Sequence, residues 1–290
     1  MISLISICTV AFGGGAIFGK NLALKGINSD NALKNYQQPL VRLLFAVASL
    51  LLILIVLDKL HLASLLPKIF PPMLLIYLAG YFHEAIMGLG CFFLGLLLLL
   101  ELTGKRSRDK IIQVLVAMGA IAFALSILLF FLRPVRVNKP KIVNRIVMQT
   151  TPYTCAPASI ATLSRYTKKH PRLTEQEAVK FTKTNHFGTT TLREIRAMEQ
   201  LNLAPRYHHN LSLKNLIALN KPALMHVKEK PKSGKGVRFS HAVAYLAIDP
   251  NKELILIGNP LYGLQIKTFA EFNTYWYGEL ITVNAQNETE

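Results

Sequence analysis

MQTTPYTCAPASIATLSRY, from Met148 to Tyr166, holds an extended approach, a turn, and a helix start with Cys155 in its first turn. After Pro157, Ile160, Leu163 and Tyr166 recur at helical spacing, with small Ala158 and Ala161 between them. That pattern predicts an amphipathic helix beginning near Cys155. A thiol there meets unsatisfied backbone N–H groups and the positive end of the helix dipole, and both favour the nucleophilic thiolate. Six residues upstream, the amide of Gln149 can approach the same point and, with a backbone N–H, hold an oxyanion.

A nucleophilic thiol needs a base and a group to orient that base. FSHAVAYLAIDPNKELILIGNP, residues 239–260, predicts two strands joined by a turn at Asp249–Lys252. His241 opens the first strand and Asn259 closes the second, so both fall at the open end of one antiparallel hairpin. An Asn carbonyl accepting from one ring nitrogen would turn the other toward the thiol.

The rest of the chain divides sharply. It has 290 residues, is 51% hydrophobic and carries a formal charge of +17, and its mean hydropathy of +0.33 is high for a water-soluble pair of domains. The excess lies in four apolar blocks, Ile2–Phe18, Val41–Leu57, Met73–Leu102 and Ile111–Leu132, each near or beyond the ~20 residues a spanning helix needs. About four transmembrane helices are therefore expected in residues 1–133, a linker over 134–145 and a soluble domain over 146–290. A signal peptide is the alternative for the first block, but no basic segment precedes its apolar run. The third block is one tilted helix or two segments meeting at His83 and Glu84. HEAIM at that place has Met87 where a zinc-protease helix needs its second histidine, so no chemistry is assigned there. The compact basic loop KRSRDK, Lys105 to Lys110, puts the first and third loops in the cytoplasm and the soluble domain on the extracytoplasmic side.

Residues 1–133 hold 11 of the 33 Lys and Arg and 5 of the 16 Asp and Glu, which leaves residues 134–290 near +11. A tethered basic domain is drawn to an anionic bilayer, and no nucleic-acid signature accompanies the scattered charge. Of the three cysteines, Cys8 and Cys91 lie in apolar blocks, so Cys155 has no partner in its domain. A disulfide framework and a metal site built on paired cysteines are both excluded. His208 and His209 are adjacent and point apart on a strand, Asp249 is explained by its turn, and His226 reads as a strand-end residue. The basic run from Lys228 to Lys235 predicts a loop beside His241.

Gln149, Cys155, His241 and NPLYG, Asn259 to Gly263, resemble the papain-like C39 cysteine peptidases, which process bacteriocin precursors by cleaving leader peptides after a double glycine. The likeness runs from about Ile146 to Val283. It includes GTTTLREI at Gly188–Ile195, and FAEFNTYW at Phe269–Trp276 resembles the last helix of that family. The resemblance implies Cys155 as nucleophile, His241 as general base and acid, Asn259 as the orienting residue and Gln149 as oxyanion donor, with no cofactor. It also implies a peptide substrate with a small-residue cleavage site and a bacterial inner-membrane location. Two departures stand out: the family usually has Asp where this chain has Asn259, and a glycine where it has Ala156. Processing exporters of this type carry an ATPase, and this sequence has no G-x-x-x-x-G-K-[ST] loop, so any exporter would be a separate protein. The alternative reading is a weak or inactive domain that binds leader peptides for such a partner.

For the soluble half the periodicities predict helices at 156–167, 174–182, 192–201 and 213–219. Strands are predicted near 223–227, 242–248, 253–257, 263–268 and 279–283. Helices first and antiparallel strands afterwards is an α+β order.

Overall fold

The computed structural model describes residues 2–27, 71–103, 133–231 and 238–284, together with residues 49, 119, 126, 129 and 130. The chain forms two compact units, Met1–Leu129 and Phe130–Glu290.

In the first unit the described elements are two helices, α1 (Ile2–Leu24) and α2 (Pro72–Leu102). They approach closely because glycines face backbone. A Cβ on Gly15 would collide with the carbonyl of Phe92, and one on Gly95 with the carbonyl of Phe12. Small residues at a helix–helix seam are the usual means of packing apolar helices in the absence of a hydrophobic drive between them. The expectation of about four crossings is corrected here. Among the described residues one helix, Ile5–Leu24, is long and apolar enough to cross a membrane, and Met87–Leu102 is a shorter apolar helix. The third block is a single helix: α2 runs through His83 and Glu84 without a break, so it is not two segments meeting there. The block at Val41–Leu57 and most of that at Ile111–Leu132 lie outside the described residues.

The second unit is α+β. A small hairpin, β1 (Lys141–Val143) and β2 (Ile146–Met148), leads into α3 (Cys155–Tyr166), α4 (Glu175–Thr182) and α5 (Thr191–Gln200). Then come β3 (Arg206–His208), α6 (Leu213–Leu219), β4 (Ala223–Glu229), β5 (Phe239–Asp249), β6 (Leu254–Asn259), β7 (Gly263–Thr268), α7 (Phe269–Tyr275) and β8 (Trp276–Thr282). Strands β3–β8 form one antiparallel sheet in the order β3-β8-β4-β5-β6-β7.

Local chemistry sets the helix starts. Thr174 with Glu177, Ser212 with Asn215 and Thr268 with Glu271 each make reciprocal capping pairs that satisfy two end N–H groups. Thr154, before α3, makes no such cap, which matters for the site.

Alternation along the central strands buries both faces of the sheet. Leu224, Ala242, Ala244, Leu246 and Ile281 pack with Ile160 and Leu163 of α3 in one cluster. Met225, Val227, Val243, Tyr245 and Ile257 pack with Phe272, Tyr275 and Trp276 in the other. At ~1.5–3 kcal/mol for each large apolar side chain buried, each face contributes enough to fix strand register. Gly258 lets three elements close on one another: a Cβ there would stand 2.8 Å from Ile146 Cδ1 and 3.3 Å from Thr162 Cγ2. Gly258→Val is expected to cost about 1–3 kcal/mol through overpacking, read as a lower midpoint in chemical denaturation. An unchanged midpoint would mean that β2 and α3 are not clamped there.

Candidate active site

Four loops and ends converge where β2, α3, β5 and β6 meet. Cys155 is the first residue of α3 and is partly exposed. The hydroxyl of its N-cap neighbour Thr154 donates to Thr151 O at 3.2 Å instead of capping the helix. Pro157 has no N–H, and Ala158 N–H is already bonded to Thr154 O. The uncapped donors at this end are therefore the N–H groups of Cys155 and Ala156.

Ala242 of β5 seats the helix. Its carbonyl accepts from Ser159 Oγ at 3.0 Å, one helical turn beyond Cys155. Its N–H, past the last β5–β6 pair at Ala244 and Gly258, faces Cys155 Sγ. Burial pushes the Cys155 thiol up from its ordinary value, and the Ala242 and Ala156 N–H groups oppose that shift by favouring the thiolate. The sequence led us to expect a thiol lowered by the helix start; desolvation outweighs that effect here.

His241 and Asn259 meet. His241 Nε2 donates to Asn259 Oδ1 at 3.1 Å, and both residues are buried. Asn259 Oδ1 also accepts from Leu261 N at 2.9 Å. Its Nδ2 donates to Glu229 Oε2 at 2.7 Å and to Gln265 Oε1 at 3.1 Å. Burial holds His241 below the ordinary imidazole value, against the opposing Asn259 bond and Glu229 charge. No hydrogen bond joins the His241 ring to Cys155 Sγ among the described residues; the two meet the same strand at consecutive positions. His241 is the third residue of β5 rather than its first, because the β4–β5 ladder extends back to Phe239.

Gln149 lies at the end of β2, where its N–H bonds Pro260 O at 2.9 Å, next to Asn259. Its Nε2 donates to Thr151 O at 2.8 Å, which leaves one amide hydrogen uncommitted. Glu175 steadies this turn by accepting from Thr150 N at 2.8 Å. β2 is thus tied to β6 by a backbone bond and to α3 by the Thr162 hydroxyl, which accepts from Val147 N at 3.0 Å. Residues 232–237 of the predicted basic loop lie outside the described residues.

The sequence reading missed a second polar cluster. Buried Glu194 of α5 meets His226 Nε2 at 3.0 Å, and Glu279 meets His226 Nδ1 at 3.3 Å. Tyr207 OH donates to Glu279 Oε2 at 2.8 Å. Glu279 reaches in because β8 breaks register between Met225 and Val227, with Gly278 at φ +79°. His226 was read as a mere strand end; Glu194 sits one helical turn into TLREI and carried no separate signal. Burial would push His226 down, but Glu194 and Glu279 outweigh it and hold the ring well above its usual value. Glu279 is correspondingly held low, burial being overcome by its bonds to His226 and Tyr207. Among the described residues no group of three or more His, Cys, Asp or Glu is arranged to hold a metal ion.

The structure thus brings a cysteine at an uncapped helix start and a hydrogen-bonded His–Asn pair to one end of the antiparallel sheet. Residues 144–288 match the family model of the peptidase C39 family, and the chain belongs to that family. It is similar to the peptidase domain of Streptococcus ComA, a bi-functional ABC transporter involved in a quorum sensing pathway (22% identity, 48% of this chain and 96% of that one, TM-score 0.40). It is also similar to a double glycine motif protease from an AMS/PCAT transporter, solved in complex with the leader peptide (18% identity, 50% and 90% covered, TM-score 0.39). A third likeness is to the peptidase domain of Streptococcus mutans ComA (22% identity, 48% and 98% covered, TM-score 0.36). No curated protein matches the chain.

The second cluster makes stability depend on pH. Folded His226 holds its proton more tightly than the unfolded ring, whose pKa is about 6.5. Its contribution is therefore full below that pH and is lost as pH rises through the raised folded value. Glu279, held low, contributes above the carboxylate range and loses its share as pH falls through its depressed value. Removing one partner of such a pair typically costs about 3–5 kcal/mol. Glu194→Leu and His226→Leu should each lower the melting temperature at pH 6 and flatten its decline toward alkaline pH. An equally steep decline in the variants would assign the pH dependence elsewhere.

Proposed function

We propose that this protein is a membrane-anchored cysteine peptidase that cleaves a peptide or leader sequence through a thioester. The observation that carries the reading is the His241–Asn259 hydrogen bond at 3.1 Å, at the residue next to Ala242, whose N–H faces Cys155 Sγ. With Nε2 donating to Asn259, the lone pair of a neutral His241 ring is on Nδ1, the nitrogen left for the thiol proton. Burial keeps that ring neutral and fit to act as a base.

In this reading the Cys155 proton passes to His241 and the sulfur attacks the scissile carbonyl. The oxyanion is held by the Cys155 N–H and by the remaining hydrogen of Gln149 Nε2. The tetrahedral intermediate collapses to a thioester as His241 protonates the leaving amine. Water, deprotonated by His241, then releases the acyl group and restores the thiol. The family relation favours a substrate with a small-residue, double-glycine-like cleavage site. The apolar helix Ile5–Leu24 favours a membrane anchor for the peptidase domain (146–290), and the family relation favours a bacterial inner membrane with a separate exporter as partner.

A second reading, a leader-peptide binding domain with little activity, is favoured by the same burial that raises the Cys155 thiol and by the missing direct bond to His241. Cleavage of double-glycine peptides by the full-length protein in detergent separates the two. Cys155→Ala should abolish cleavage, His241→Ala should reduce it by about 10²–10⁴-fold, and Gln149→Ala by about 10²–10³-fold. Binding without cleavage, unaffected by Cys155→Ala, would replace the peptidase reading with the binding one.

A further inference from the structure

Asn259 is neutral, and the position it holds is one where a carboxylate would stabilise a protonated imidazole directly. The buried neighbourhood supplies a carboxylate one residue further back. Glu229, at the end of β4 and 6% exposed, accepts Asn259 Nδ2 at 2.7 Å and Tyr275 OH at 2.6 Å on Oε2. It accepts Lys230 N at 3.0 Å on Oε1. We infer that Glu229 is a positioning residue of the site: through Asn259 it fixes the tautomer of His241 and supplies the negative charge that Asn259 lacks.

Donor and acceptor types force the direction of the chain. A carboxylate only accepts, so it fixes which end of the Asn259 amide is nitrogen. Gln265 Oε1 takes the second Nδ2 hydrogen. Asn259 Oδ1 is then turned to Leu261 N and to His241 Nε2. Because Oδ1 only accepts, Nε2 must carry the proton and Nδ1 is the basic atom. Without Glu229 the Asn259 amide could flip and offer Nδ2 to the ring, which would select the opposite tautomer.

The charge acts as well. Its effect on His241 is to raise proton affinity, opposing burial. The other groups facing Glu229 are the hydroxyls of Tyr275 and Tyr262, the latter bonded to Lys230 O at 2.9 Å. Lys267 Nζ stands 4.3 Å over the Tyr275 ring. His241 also meets the Phe239 ring edge-on at 5.8 Å. Among these, Glu229 is the anionic group in contact with Asn259.

The inference rests on the peptidase reading for its use but not for its test. Nitrogen NMR of ¹⁵N-histidine in the detergent-solubilised full chain, with His241 assigned by His241→Gln, reads tautomer and titration directly. Iodoacetamide labelling of Cys155, followed by peptide mass so that Cys8 and Cys91 do not interfere, reads nucleophilicity. Wild type is expected to hold its proton on Nε2. Glu229→Gln should lower the His241 titration by about one pH unit, a tenfold change in proton affinity. Glu229→Leu should also mix the tautomers.

The reciprocal exchange is the sharpest arm. Asn259→Asp alone sets two carboxylates at hydrogen-bond distance, which cannot both stay ionised, so it should not improve on wild type. Asn259→Asp combined with Glu229→Gln moves the charge onto the His241 contact and should restore labelling and titration to wild-type levels or above. Wild-type tautomer and titration in Glu229→Gln and Glu229→Leu, or a double variant no better than its singles predict, would overturn the inference. If instead His241 responds to Glu229 while Cys155 labelling ignores His241→Ala, the network stands and the peptidase reading falls.

Discussion

The site depends on one residue with a featureless side chain. Ala242 presents its carbonyl to Ser159 and its N–H toward Cys155 Sγ, so both backbone polar groups of one residue in β5 are directed at α3. A methyl side chain is what permits this: Ala242 is 3% exposed and packs in the α3 cluster, and a larger group there would lift the helix off the strand. With α3 seated, the ends of β2 and β6 are drawn in through Gln149 N–H to Pro260 O. Each of these contacts uses a backbone N–H or carbonyl, and leaving such a buried group unpaired costs about 1–3 kcal/mol.

Strand β4 then divides the polar chemistry between the two faces of the sheet. Its alternation sends Leu224 and His226 to the α3 side, and Met225, Val227 and Glu229 to the α7 side. On the first side the Glu194–His226–Glu279–Tyr207 cluster ties α5 and β8 to β4. On the second, Glu229 ties Asn259 and Tyr275. Buried charges are tolerated in both places because their hydrogen-bonding capacity is met by named partners; a buried carboxylate lacking them would take up a proton. The two clusters differ in what they constrain: one holds two ends of the structure together, the other fixes the direction of a single amide.

Much of this was legible from pattern. The helical spacing of Ile160, Leu163 and Tyr166, the turn at DPNK and the pairing of His241 with Asn259 at one hairpin end follow from periodicity and turn chemistry. Asp249 Oδ1 indeed accepts from Asn251 and Lys252 N–H groups in that turn. What was not legible depends on contacts distant in sequence. Glu229 lies 30 residues from Asn259 and 46 from Tyr275, and no local rule couples them. Likewise Glu279 reaches His226 only because the β4–β8 ladder breaks register, an irregularity that alternation does not encode. Strands β1, β2 and β3 have three residues each, too few for a period of two to declare itself. In the apolar half, composition left open whether the third block is one helix or two segments meeting at His83 and Glu84, and α2 is continuous through both.

The opposition between the helix start and burial at Cys155 has a mechanistic consequence. A helix dipole is worth about 0.3–1 kcal/mol to a charge at its end, reaching ~2 kcal/mol in partly buried geometries, whereas full desolvation can shift a pKa by up to 3–5 units. Burial therefore wins, and it pushes His241 down as it pushes Cys155 up. Both shifts favour a neutral thiol beside a neutral imidazole at rest, over a preformed ion pair. In the proposed reaction the charge pair is then created only when the proton crosses, and the structure must stabilise it at that moment. The fixed groups suited to that task are the uncapped N–H groups at the start of α3 for the negative end and, through Asn259, the Glu229 carboxylate for the positive one. On this account the uncapped N–H groups of α3 serve the oxyanion that forms during the reaction more than the thiol that precedes it.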